Sequence, residues 1–202
     1  MPTSNHTALG PPPSSPLAFS AQWSVFNISR GKELWIVPPK NLAAAVTPPN
    51  ALIGSRFKPS KHNSAAPAAG SASVPSIRLP DSSSTKTFDL FGFYVQPMET
   101  PPGVHGVDVY IEATAIDGTE YTFGITFLPS AMSEPWYFEP YSIANEKWDR
   151  LTEVRVWAQL SGAASIDWEF FVDDVWVRCG FPSLTRHALC SHANSGFLQL
   201  GK

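Results

Sequence analysis

Asp117 and Gly118 stand between two runs in which apolar and polar residues alternate strictly, a pattern that a helix cannot gather onto one face. In the first run Val107, Val109, Ile111 and Ala113 alternate with Asp108, Tyr110, Glu112 and Thr114. In the second, Tyr121, Phe123, Ile125 and Phe127 form the apolar set. A period of two places each set on one face of a strand, and Asp-Gly supplies the positive backbone angles of a type I′ turn. The pair reads as a hairpin with one face on a core and the other toward solvent.

The remaining sequence fits the same architecture. Twenty prolines and thirteen glycines cut the 202 residues into short pieces, which leaves little room for long helices. Strands are predicted near 21–28, 33–37, 51–57, 86–96, 106–116, 119–128, 135–142, 151–160 and 166–178. Two of them, Phe88 to Val95 (FDLFGFYV) and Phe170 to Val177 (FFVDDVWV), pack large apolar residues around acidic ones at strand spacing. Many short strands with frequent turn signals predict an all-β chain, a jelly-roll β-sandwich of two antiparallel sheets. With 43% hydrophobic and 12% aromatic residues, the chain can fill its core. Residues 1–19, containing GPPPSSP at 10–16, read as an extended arm and 20–180 as the sandwich. The Ser/Ala/Pro-rich stretch 59–84 reads as a long surface loop and 181–202 as a tail.

Charge and hydropathy remove several partners. A net charge of −3 and the absence of any Lys/Arg run give no electrostatic basis for binding nucleic acid or an anionic membrane surface. No apolar run is long enough for a spanning helix, so membrane insertion is not expected. Asn5 and Asn27 head the acceptor triplets Asn-His-Thr and Asn-Ile-Ser. Cys179 and Cys190 flank a short loop after the last strong strand, where a bridge would staple the tail to the body. These features favour a secreted or extracellular protein whose signal peptide has been removed.

Three segments carry a family likeness. Residues 22–27 (QWSVFN) followed by 46–54 (VTPPNALIG) give an aromatic strand and then a Pro/Asn/Ala turn. Phe88 to Tyr94 matches an "FDL-x-S-x-Y" strand with Gly92 in the small polar position, and Phe171 to Val175 matches a closing "F-h-D-D/N-h" strand. Over about three quarters of its length the chain thus resembles fungal secreted jelly-roll proteins related to carbohydrate-binding modules. The resemblance implies a structural calcium held in part by the closing-strand aspartate, here Asp173 with Asp174 as the neighbouring alternative. Calcium takes six to eight oxygens, and Glu33 is the one carboxylate before Asp81, so the expected partner acid is not evident. Otherwise Asp173 would hydrogen-bond a loop backbone. No cofactor for chemistry is expected.

Sugar recognition combines aromatic rings with hydrogen-bonding side chains, because a sugar presents apolar faces and polar edges. Leu151 to Leu160 places Glu153, Arg155, Trp157 and Gln159 opposite its apolar face, and Tyr110 on the neighbouring hairpin falls among similar residues. That face is the candidate carbohydrate site; the alternative is a tryptophan covered by a loop. Seven tryptophans could instead line an enclosed pocket for an apolar small molecule. Fungal pericyclases of hetero-Diels–Alder type are similar small β-proteins, and Trp23, Arg56, Lys86 and Tyr94 are the candidates for such a pocket. A polysaccharide-active hydrolase or lyase ranks third. The five histidines fall in expected loops or tails, and pairs such as Asp108 with Glu112 have nothing to mark them as catalytic.

Overall fold

The computed structural model describes residues 17–33, 41, 43–46, 50–56, 74–80 and 86–180. These form eleven strands: β1 (Ala18–Phe19), β2 (Trp23–Asn27), β3 (Asn50–Gly54), β4 (Ser76–Arg78), β5 (Thr87–Pro97), β6 (Val107–Ala115), β7 (Glu120–Phe127), β8 (Trp136–Phe138), β9 (Trp148–Leu160), β10 (Ala163–Trp168) and β11 (Phe170–Gly180). Two short helices, α1 (Ile28–Glu33) and α2 (Pro140–Ala144), are the only α-helices among the described residues. The fold is all-β, and every strand pair is antiparallel.

The strands make two layers that share one strand. The first runs β2-β3-β11-β5 with β8 on the far edge of β5; the second runs β7-β6-β9 with β4 and β10 on the other edge of β9 and β1 outside β4. The first residues of β9 pair with β5 and the remainder with β6, and Leu151 lies opposite both Phe88 and Ala115. Arg150, just before that crossing, takes φ 52°, a left-handed conformation that turns the strand out of one layer and into the other. Its amide donates to Asp89 Oδ1 at 2.9 Å and its carbonyl accepts from the Ile116 amide at 2.9 Å. The two expected sheets are therefore one hydrogen-bonded sheet folded over a shared strand.

The interior follows the alternation. Val107, Val109, Ile111 and Ala113 of β6 and Val154, Val156 and Ala158 of β9 are buried against Phe88, Phe93, Val95, Phe170 and Val172 of the first layer. Tyr121, Phe123, Ile125 and Leu160 pack partly buried at the margin of the same core. A second cluster, Ile28, Ala44, Ala51 and Phe171, covers the outer side of β3 and β11. Buried Asn41 ties that cover down, donating to the Pro97 carbonyl and accepting from the Glu99 amide, both at 2.8 Å.

Four boundaries differ from expectation. Part of the stretch read as a surface loop forms β4, with Ser76 and Ile77 buried, because Trp23 Nε1 donates to the Ser76 carbonyl and Ile77 enters the core. The strand expected at 135–142 stops at Phe138, since Pro140 cannot donate to a ladder and instead opens α2. The strand expected at 166–178 divides at Glu169 into β10, which pairs with β9, and β11, which pairs with β3 and β5. Glu33 ends α1 in place of a strand, and residues 34–37 lie outside the described residues.

Candidate functional site

The outer face of the second layer assembles the residues picked for carbohydrate. Cross-strand pairing sets Tyr110 opposite Trp157, Glu112 opposite Arg155, Asp108 opposite Gln159 and Thr114 opposite Glu153. Tyr110 and Trp157 stack with centroids 5.3 Å apart and planes 18° from parallel. Gln159 Nε2 donates to the Tyr110 hydroxyl at 3.2 Å, and Thr126 Oγ1 donates to Asp108 Oδ1 at 2.7 Å. Arg155 Nε bonds Glu153 Oε2 at 2.9 Å and its NH1 lies 4.0 Å from Glu112 Oε2. The hydrogen bond and charge of Glu153 hold the guanidinium above its ordinary value, with Glu112 adding to the effect.

Trp157 is bracketed rather than open. The Arg56 guanidinium lies over its ring at 5.2 Å, a cation–π contact. Asp167 of β10 fixes the Arg56 segment, accepting from Ser55 Oγ at 2.6 Å and from the Arg56 amide at 2.9 Å on one oxygen. The row of groups is thus Arg56, Trp157, Tyr110. Beyond Tyr110 the pairing places Gly124 of β7, and a Cβ there would stand 3.4 and 3.5 Å from two atoms of the tyrosine ring. Having no side chain, Gly124 leaves room beside that edge of the Tyr110 ring. Thr122 and Thr126, both exposed, stand on either side of it. Tyr110 and Trp157 are both half-buried.

The four residues named for an enclosed pocket do not surround one hollow. Trp23 is buried edge-on to Phe19 and Phe170, with ring centroids 6.3 and 5.6 Å away. Arg56 covers Trp157, Tyr94 packs against Tyr137 at 4.9 Å on the outer side of the first layer, and Lys86 sits half-buried just before β5. The space between the layers is occupied by rings in contact: Phe93, Phe123, Trp136, Phe138 and Trp148 meet at centroid distances of 5.1 to 6.2 Å.

Asp173 is 2% exposed, opposite Tyr94, where β11 bulges and Asp174 takes φ 48°. Among the described residues no group of three or more His, Cys, Asp or Glu side chains gathers in one place. Asn27 is exposed at the end of β2 and Cys179 is buried near the end of β11, whereas Asn5 and Cys190 lie outside the described residues.

No protein-family model matches the chain, and no curated protein does. Among solved structures it is similar to a DUF4465 family protein from Bacteroides ovatus, at 9% identity and a TM-score of 0.49, over 84% of this chain and 80% of that one.

Proposed function

We propose that this protein is an extracellular ligand-binding β-sandwich that recognises carbohydrate on the outer face of its second layer. The observation that carries the reading is the stack of Arg56, Trp157 and Tyr110 ending over Gly124, with Asp108, Glu112, Gln159, Thr122 and Thr126 around it. A pyranose packed against Tyr110 beside Gly124 would place its C–H face on the ring and its hydroxyls among carboxylate, amide and hydroxyl groups. Trp157 and Arg56 would act from behind, holding the tyrosine upright. Exposure of Asn27 and Ser29, the acceptor and the hydroxyl residue of the triplet, fits the extracellular assignment.

Binding to a glycan array and to immobilised polysaccharides tests this reading. Tyr110→Ala should weaken retention by on the order of 1 to 3 kcal/mol, roughly 5- to 150-fold. Gly124→Val should abolish retention with no loss of melting temperature, because it fills the space over Tyr110 with a residue that strands favour. Retention of no glycan by the natural chain, or equal retention by both variants, would reject the assignment.

A further inference from the structure

Among the described residues β7 is the longest edge of the sheet. It pairs with β6 alone, from Glu120 to Phe127 with no shift in register, and no other backbone hydrogen bond reaches residues 120–127. A strand with one neighbour turns half of its N–H and C=O groups outward, a row that fits a further strand. Edges are ordinarily blunted by brevity, proline, lysine or a bulge. β8 is such an edge, three residues long and closed in by Pro135 and Pro140, and β10 shifts register between Ala163 and Asp167. The eight residues of β7 contain no proline, lysine or arginine and no bulge.

The side chains of β7 suit a second β7. Tyr121, Phe123 and Ile125 are half-buried at the margin of the core, where a strand laid alongside would complete their cover. Thr122, Gly124 and Thr126 are exposed on the outer face. Antiparallel pairing about Gly124 keeps inner residues opposite inner and outer opposite outer: Thr122 meets Thr126 of the second copy, Phe123 meets Ile125 and Tyr121 meets Phe127. Threonine pairs and aromatic pairs with aromatic or β-branched residues are the favourable ones across antiparallel strands. Glu120, the one charge on the strand, falls opposite Leu128, so no like charges face each other across the pair.

We propose that β7 is the interface of a symmetric dimer, in which it pairs antiparallel with β7 of a second copy of this chain and one sheet runs through both molecules. The register sets Tyr110, Gly124 and their two counterparts in line, with the tyrosines about 14 Å apart across three strand spacings. One strand pair is smaller than a standard interface of roughly 1,600 Å², so a dissociation constant on the order of 10 to 100 µM is expected. Sedimentation velocity over a concentration series spanning that range should show the natural chain passing from monomer to dimer. Thr122→Lys with Thr126→Lys sets lysine against lysine at two places and should weaken association roughly tenfold or more. Within the chain these positions lie opposite Glu112 and Asp108, so the melting temperature should hold. Amide exchange supplies a measurement that needs no variant: the outward amides of β7 should slow as the natural chain is concentrated. A natural chain that stays monomeric, or a dimer that survives the paired change, overturns the proposal. So does β7 protection that is independent of concentration, which would mean that another segment of the chain occupies the edge. Every measurement is made without glycan, so this reading and the carbohydrate reading can fail separately.

Discussion

Single residues in this molecule matter most where a side chain is missing. Gly54 lies where β2, β3 and β11 converge, and a Cβ there would stand 2.6 Å from Phe170 and 2.9 Å from Trp23, both rings fixed in the core. Gly92 is tighter, since its Cβ would strike the Phe138 carbonyl, a backbone atom that cannot swing aside. Gly92→Ala should therefore cost about 3 kcal/mol, read as a melting temperature lower by about 5 to 10 °C, whereas Gly124→Ala should be neutral or stabilising. A stability ranking in which Gly124→Ala is the more harmful would contradict this account. The sequence offers these glycines alike. Gly124 becomes distinctive only once the register sets it across from Tyr110, and Arg56 joins Trp157 only because Asp167, more than a hundred residues later, anchors its segment. Glu153, Arg155, Trp157, Gln159 and Tyr110 were legible as one face because period two fixes which side a residue takes. What lies over each ring depends on distant elements that carry no local signal.

At the scale of elements, the hairpin of β6 and β7 was the most legible piece, but its turn is not the expected type I′. Gly118 alone takes a positive φ, 87°, and its amide closes a turn on the Ala115 carbonyl, so Ile116, Asp117 and Gly118 form a three-residue loop. The Asp117 carboxylate accepts from the Thr119 amide at 3.0 Å, and that bond, with the turn around it, holds the carboxyl below the usual aspartate range. A depressed folded-state value means that the turn gains stability above the unfolded value and loses it as pH falls through the folded one. The Thr119 amide resonance should titrate with a midpoint below that of an unfolded peptide of the same sequence, and Asp117→Asn should remove the titration. β5 and β11 were harder to read. Asp173 faces Tyr94, Trp176 faces Gly92 and Val177 faces Leu90, so an extra residue in β11 is followed by one in β5 and the original register returns. Strict alternation would send Phe91 and Phe93 to the same side. The bulge turns Phe93 into the core and leaves Phe91 exposed. The brief β4 escaped notice because three residues amid Ser, Ala and Pro are too few to show a period.

At the scale of the whole molecule, β9 decides how the two layers respond to stress. It is the strand through which β5 of one layer and β6 of the other are joined, and Leu151, fully buried, sits at the crossing. The sandwich therefore has no seam at which one layer could open while the other stays paired. Removing side-chain volume at the crossing should loosen both. Leu151→Ala should cost about 2 to 5 kcal/mol, the usual range for a large-to-small change in a core. Native-state amide exchange would show where that loss is felt: protection of β6 in the second layer and of β11 in the first should fall together and by similar amounts. Asp89→Ala supplies a second probe of the junction, since it deletes both the acceptor for the Arg150 amide and the partner of Arg178. Its exchange pattern should match that of Leu151→Ala at smaller amplitude, about 1 to 3 kcal/mol. Were β6 to lose protection while β11 kept it, the layers would be separate folding units and β9 no more than a neighbour to each.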